Sequence, residues 1–395
     1  MSRQFRALVF QLHGWLGLHI FLVLGMMFLT GTLLIFMLQI EALFDSDRHM
    51  HDTAGPASFG AQFDHARAVV PEGQYQAIHR SGSGFFADRS LLAGPDGEEY
   101  NLWHGGTGGQ VTGQTHATDL HRVIFQLHSS FLAYNNLGGL FASALSVPLL
   151  LFIVTGLITY RRFWRGFFRA PPRHQGSRAF WGGAHRLLAL WALPFLCVVG
   201  ITGFYYFIGY LGVVPYRPVE ITPPAPRAAQ FPPGFDGTAL DLAHDAAQNA
   251  MPGITFTLIE MPSWPGDGIH FYGADGTFLS GEEANVVVVD PTNLVVIGQR
   301  RVADMPVAAR VSEAINMLHY GLWGGMVSEI LWLIFGAMAT GLSFAGAMIY
   351  ASRTGGAEHS DHTAMSRIWQ GMSILKWTLP LFAIVVIIIG VIRLG

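Results

Sequence analysis

The sequence predicts a mainly α-helical integral membrane protein. Three observations carry that expectation: 51% of its 395 residues are hydrophobic, only 12% are charged, and the apolar residues gather in long uncharged stretches. Soluble domains carry about 25% charged residues, so much of this chain is expected to face lipid. After Arg6 no Asp, Glu, Lys or Arg appears until Glu41, and a hydrocarbon core needs only about 20 apolar residues. This first stretch is too long for a signal-peptide apolar region, and no small-x-small cleavage pattern follows it closely. A retained helix that doubles as export signal is expected there.

Uncharged apolar spans run over residues 12–40, 137–160, 187–212, 330–352 and 377–392. The first four predict a four-helix transmembrane core. The last is short, holds Pro380 and begins after Lys376; it predicts a fifth C-terminal helix within 369–395. Orientation follows from the basic residues. Arg161, Arg162, Arg165, Arg169, Arg173, Arg178 and Arg186 stand between the second and third spans with no acid among them. The loop 165–184 is therefore expected to be cytoplasmic, as are the N-terminus with Arg3 and Arg6 and the loop 353–368. Segments 41–121 and 213–313 then lie on the outer side. Segments 122–164 and 314–352 each lead into a span, and 185–212 is the third span itself.

The two outer segments resemble each other. The first contains "GEEYNLWHGGTGGQVTGQ" and the second "GEEANVVVVDPTNLVVIGQ". Each has GEE, a strand-like run, a turn and a closing GQ, and each follows a helix-like stretch ("FDHARAVV", "ALDLAHDAAQNA"). The pattern predicts a small α+β unit occurring twice. The spans repeat as well: Thr30-Gly31, Thr155-Gly156, Thr202-Gly203 and Thr340-Gly341 place one Thr-Gly pair in each of the first four. These pairs fit close helix packing through small residues, and equally a glycine that makes room for a flat ligand near the backbone.

Histidines carry the chemical signal. Of the 17 in the chain, His13, His19, His128, His185 and His319 sit in or beside the apolar spans. His13 and His185 open the first and third helices on the expected cytoplasmic side. His128 and His319 precede the second and fourth on the outer side. The four form two layers, with one histidine from each repeat in each layer. A single interfacial histidine is ordinarily a polar anchor. Four placed by repeat and by layer fit two imidazole pairs, the arrangement that grips a b-type haem iron from both sides. Zinc or copper would need a tighter cluster, and no HExxH or metal-finger spacing is present. "HMH" at His49–His51 offers copper donors or a solvated loop. His19 lies six residues after His13, about 240° around a helix, and is expected to pack rather than share the His13 face. His121, seven before His128, is the alternative ligand on the outer side.

Other features narrow the chemistry. The lone Cys197 allows no intrachain disulfide and no thiolate cluster, and without CxxCH a covalently attached haem is excluded. A net charge of −3 gives no reason to expect nucleic acid. "GSGFFA" at Gly82–Ala87 mimics a dinucleotide fingerprint but follows no apolar strand. With no flavin or nicotinamide motif, electrons would have to come from a cytoplasmic donor or quinol. Arg161, Arg162 and Arg165 either dock an acidic donor or simply set topology.

"LHGWLGL" at Leu12–Leu18, Thr30-Gly31, "LHSSFLAYNNLGG" at Leu127–Gly139, "TGLITYRR" at Thr155–Arg162, "AHRLLALWAL" at Ala184–Leu193 and "LHYGLWGG" at Leu318–Gly325 occur in this order. In that order the chain resembles the PepSY-associated transmembrane proteins to about residue 352, and its outer segments resemble PepSY domains. The family includes di-haem ferric-siderophore reductases of the bacterial inner membrane. The resemblance implies two helix–PepSY-like domain–helix repeats, periplasmic α+β units, and two non-covalent b haems held by His13, His128, His185 and His319. It further implies a b-haem oxidoreductase that reduces a ferric siderophore or other Fe3+ chelate in the periplasm. Hard oxygen ligands prefer the more highly charged ferric ion, so reduction would release the metal. Phe85, Phe86, Trp103, Trp264, Phe271, Tyr272 and Trp323 offer a flat chelate aromatic contacts, or are ordinary core residues. A haem electron carrier for another periplasmic acceptor and a membrane-tethered PepSY-type inhibitor or sensor remain as alternatives.

Overall fold

The computed structural model describes residues 2–49, 57–81, 85–105, 108–117, 119–133, 136–160, 162–214, 231–264, 266–353, 363–372 and 377. The first half of the chain runs α1 (Arg3–Leu34), α2 (Met37–Ala42), α3 (Phe59–Val69), β1 (Gln74–His79), β2 (Asp88–Ala93), β3 (Glu99–Gly105) and β4 (Gln110–His116), then α4 (Leu120–Ser130), α5 (Asn136–Ala144) and α6 (Ser146–Thr159). The second half repeats that order without a described counterpart of α2 and with one helix in place of α5 and α6: α7 (Ser177–Tyr210), α8 (Gly237–Ala250), β5 (Thr255–Glu260), β6 (Ile269–Ala274), β7 (Asn285–Val289), β8 (Val296–Arg300), α9 (Val307–Tyr320) and α10 (Gly325–Arg353). A short α11 (Ala364–Gly371) follows. The expected fifth membrane helix falls almost wholly outside the described residues.

The chain divides into a helical unit and a sheet unit. In the helical unit four stretches are long and apolar enough to cross a membrane: Arg3–Leu34, Asn136–Thr159, Ser177–Tyr210 and Gly325–Arg353. They form a ring in which α1 touches α6 and α10, and α7 touches α6 and α10. Close approach rests on small residues, as it must where lipid removes any hydrophobic drive between helices. A Cβ on Gly336 would strike Thr32, one on Gly203 would meet Ser146 at 3.2 Å, and one on Gly25 would meet Ser343 at 3.5 Å. Leu149, Ala192, Phe195, Leu196, Trp332 and Ala339 fill the centre. Outside, Leu8, Phe10, Leu22, Leu151, Val154 and Ile201 are exposed. Bare apolar side chains over whole helices are what a bilayer covers.

The α+β unit occurs twice, and the two copies share one sheet. All eight strands join one antiparallel sheet, in the order β4-β3-β2-β1-β5-β6-β7-β8. Each copy alone is a four-stranded meander whose first strand would be a bare edge, and an unpaired edge is a liability that pairing removes. Here β1 pairs with β5 through His79↔Leu258, Ile78↔Ile259 and Ala77↔Glu260. Two flanking bonds mirror each other: Arg80 N–H donates to the Thr257 carbonyl at 2.7 Å, and Met261 N–H to the Gln76 carbonyl at 2.8 Å. Helices α3 and α8 cover one face over Phe63, Ile78, Leu102, Leu240, Ile259 and Phe271. Their N-termini also exchange equivalent bonds. Gly60 N–H donates to Asp241 Oδ1 at 2.8 Å, and Gly237 N–H to Asp64 Oδ1 at 2.7 Å. The two copies thus meet as an isologous dimer does, equivalent residue against equivalent residue.

Candidate functional site

The helical unit brings the four singled-out histidines together in two pairs. His13 faces His185 and His128 faces His319, each with ring centroids 6.3 Å apart. His13 stands in the first third of α1 and His185 in that of α7; His128 and His319 stand in the last turns of α4 and α9. Both of the latter helices stop just beyond. Phe131 and Leu132 adopt left-handed φ of 52° and 60°, and Leu132 N–H closes the end on the Gln126 carbonyl. After His319 the same task falls to Gly321, φ 77°, where a Cβ would press into Trp332 at 2.7 Å. Trp332 Nε1–H donates to the His319 carbonyl at 3.2 Å.

Second partners fix each ring. Thr155 Oγ1 lies 2.8 Å from His13 Nδ1, Thr30 Oγ1 lies 3.0 Å from His128 Nδ1, and Thr202 Oγ1 lies 2.7 Å from His319 Nδ1. His185 Nδ1 lies 3.3 Å from the Leu342 carbonyl. Because Thr30 sits 17 residues beyond His13 on α1, the contacts to His13 and to His128 lie about 25 Å apart along that helix. The two pairs are two layers. Glycine makes the approach possible at Gly31, where a Cβ would lie 2.8 Å from His128 Cε1. By contrast, Gly203 packs on Ser146 and Gly341 on Leu188. The Thr-Gly motif therefore serves packing at some copies and ring clearance at another. Its threonine has a third use, as a partner for histidine, which sequence reading did not anticipate; the 17 residues from His13 to Thr30, and again from His185 to Thr202, were its trace.

The ring separation fits a metal that would be held between the two imidazoles of each pair. An imidazole nitrogen sits about 2 Å from a bound transition metal and about 1.2 Å from its own ring centre, so two rings on one metal place their centroids about 6.3 Å apart. Nδ1 is occupied in all four rings, which leaves Nε2 for coordination. A pair gives only two donors, so a bare ion would lack most of its ligands, whereas a macrocycle brings four of its own. Among the described residues no group of three or more His, Cys, Asp and Glu offers a metal site.

The remaining residues fall elsewhere. His19 bonds the Trp15 carbonyl at 2.6 Å and packs on the Trp15 ring, apart from the pairs. His121 belongs to the sheet unit, where its N–H donates to Glu41 Oε1 at 2.8 Å and burial lowers its pKa. His49 bonds the Ala42 carbonyl at 2.6 Å, while Met50 and His51 lie outside the described residues. Gly82–Gly84 of the fingerprint-like run and Arg161 also lie outside them. Of the aromatics, Trp103 and Phe271 are fully buried core and cannot touch a ligand. Trp323 packs on Trp332 in the helical unit. Phe85 and Trp264 are exposed. On the sheet face away from α3 and α8, a cavity of about 260 Å³ is lined by His79, Arg89, Glu282, Glu283 and three aliphatic residues. It is smaller than the ~300–1,000 Å³ of ordinary ligand clefts.

Four spanning helices, an internal duplication and histidines paired across the copies define a membrane protein of the PepSY-associated class. The chain belongs to that family: the model described as "PepSY-associated TM region" matches residues 10–353. It is also similar to an uncharacterized protein of Pseudomonas aeruginosa, 31% identical over 140 residues. That match covers 32% of this chain and 35% of the relative, so it spans about a third of the relative's length.

Proposed function

We propose that the protein moves electrons across the bacterial inner membrane to a ferric siderophore or similar Fe3+ chelate in the periplasm. Two non-covalent b haems would be held by His13 with His185 and by His128 with His319. The observation that carries this reading is the doubled pair: two sets of imidazoles at 6.3 Å, each ring with Nδ1 bonded and Nε2 available. Such a haem supplies one-electron chemistry; the chain supplies the ligands and a dry apolar setting for them. Sidedness is argued from charge. Arg162, Arg165, Arg169 and Arg173 between α6 and α7, with Arg178 in the first turn of α7, favour the cytoplasm, which assigns the His13–His185 layer to that side and the His128–His319 layer to the periplasm. The donor is then a cytoplasmic protein or quinol.

The test is haem content and its mapping. Detergent-purified protein should carry two low-spin haems per chain. His13→Ala and His185→Ala should each remove one and the same haem, and His128→Ala and His319→Ala the other. His19→Ala and His121→Ala should leave both spectra intact. Haem-free wild-type protein refutes the proposal. In sealed inside-out vesicles with a trapped ferric chelate, reduction from outside should reach luminal iron in wild type and fail in His128→Ala. Re-oxidation by other acceptors but never by ferric chelates would leave a haem electron carrier instead.

A further inference from the structure

The partners at Nδ1 point to which nitrogen of each ring carries the proton. A hydroxyl has one proton to give. Thr30 gives its proton to the Met26 carbonyl at 2.8 Å, Thr155 to Leu151 at 2.6 Å and Thr202 to Val198 at 2.8 Å. Each oxygen then faces its histidine as an acceptor, which favours the Nδ1–H tautomer of His128, His13 and His319. The Met27 carbonyl, also beside the His128 ring, is likewise an acceptor. At His185 the partner is the Leu342 carbonyl, again acceptor only. The same tautomer is favoured in all four rings, with the proton on Nδ1 and the lone pair on Nε2.

The fourth Thr-Gly motif breaks the pattern. By repeat, Thr340 corresponds to Thr155 and belongs to His185. Its hydroxyl instead bonds the Gly336 carbonyl at 3.0 Å, and the ring bonds a carbonyl two residues further along α10. The motif is fourfold in sequence and threefold in use.

We propose that Thr30, Thr155 and Thr202 are positioning residues that fix the Nδ1–H tautomer of the histidine pairs and set how strongly Nε2 donates to a bound metal, and that Thr340 has no such role. The inference rests on the haem reading above. An acceptor on Nδ1–H raises the basicity of the ring, and loss of such an outer partner typically costs about 10–100-fold. Thr→Val keeps the shape and removes the acceptor. The ring becomes a poorer donor, ferric iron loses more than ferrous, and the centre becomes easier to reduce.

The experiment is a redox titration of the full-length detergent-purified chain, with each ferric centre followed by its low-spin EPR signal. Thr30→Val and Thr202→Val should each shift only the His128–His319 centre, and Thr155→Val only the His13–His185 centre. Each shift should raise the ferrous-to-ferric ratio at a fixed potential by about tenfold, which is 59 mV for one electron. The serine variants should restore the wild-type potential, since serine retains the accepting oxygen. Thr340→Val should move neither centre. Selective loss of one haem in a valine variant, with the other retained, also supports the assignment. Unmoved potentials with both haems present overturn it, as does a Thr340→Val shift equal to the others. Wild-type protein without haem overturns the haem reading and this inference together, so the two failures are told apart by the wild-type spectrum.

Discussion

Gly60→Ala should loosen the sheet unit even though alanine is the better helix former. The substitution gains up to about 1 kcal/mol of helix propensity. Against that, a Cβ at residue 60 would run into the Gly237 carbonyl oxygen and lie 2.6 Å from Asp241 Oδ2. Backbone cannot swing aside as a side chain can, so α3 and α8 must separate. Overpacking of this kind costs about 1–3 kcal/mol. Separation also stretches the charge-assisted bond from Gly60 N–H to Asp241, worth about 1.5–3 kcal/mol. The balance is a loss of about 3 kcal/mol, roughly a hundredfold in an opening equilibrium. Hydrogen exchange on the full-length protein in detergent reads it directly: amides of α3, α8, β1 and β5 should exchange about a hundredfold faster. Gly237→Ala should do the same, because a Cβ there meets the Gly60 carbonyl and Asp64. Gly182→Ala in α7, where a Cβ meets nothing within 4 Å, is the control. Exchange in Gly60→Ala within threefold of wild type would show that the helix contact does not hold the two copies together.

Arg48→Met should destabilise the sheet unit by about 3–5 kcal/mol, because the buried Arg48 pairs with Glu41 at 2.7 Å, Asp45 at 3.1 Å and Asp119 at 3.2 Å; exchange at the amides of α2 and β3 measures it. Gly31→Ala should disturb the haem assigned to His128 and His319 and spare the other, because the new Cβ would lie 2.8 Å from His128 Cε1; absorption spectra decide. Burial, then Glu260, Glu313 and Glu282, raise the Glu283 pKa above its ordinary 4.5. A folded-state pKa above the unfolded value means stability is fully present below pH 4.5 and is lost as pH rises toward the folded value. Glu283→Gln should therefore flatten that decline and leave the sheet unit more stable than wild type at pH 7, read by exchange at β7 across a pH series.

Much of this fold is written in short patterns. GEE marks the entry to the third strand of each copy, ahead of β3 and β7, and GQ falls within β4 and β8 at matched positions, with Leu102↔Gln114 and Val287↔Gln299 as partners. The four spans were legible because lipid imposes length and apolarity together. Their ends were not: α1 begins at Arg3, nine residues before the uncharged span, because a helix continues into water where the lipid pattern stops. The seam between β1 and β5 left no mark, since "QYQAIH" reads as a half-buried strand whichever neighbour it has. Which of His121 and His128 reaches the pair was equally hidden: both lie on α4, and only the tertiary position of Thr30 separates them. Trp103 and Phe271 looked like candidates for ligand contact, since an aromatic in a strand has the same letters whether it faces core or cleft.

Duplication explains why the paired arrangement is economical and where it departs from symmetry. In the sheet unit, β1 meets its counterpart β5 and Gly60 its counterpart Gly237. In the helical unit, His13 meets His185 and His128 meets His319, again equivalent against equivalent. A two-fold contact presents any residue near its axis twice, facing itself, so one histidine per helix suffices to make a facing pair. Two such histidines per copy give two facing pairs, without any local cluster of histidines in the sequence. Perfect symmetry would also make the surroundings of the two rings in each pair alike. The His128–His319 pair obeys this, with a threonine hydroxyl behind each ring at 3.0 and 2.7 Å. The His13–His185 pair does not, since a hydroxyl at 2.8 Å stands behind one ring and a carbonyl at 3.3 Å behind the other. The rings of that pair cross at 88° and those of the symmetric pair at 50°. The copies thus differ at the second partner of His185, which is a carbonyl of Leu342 where the repeat would place Thr340.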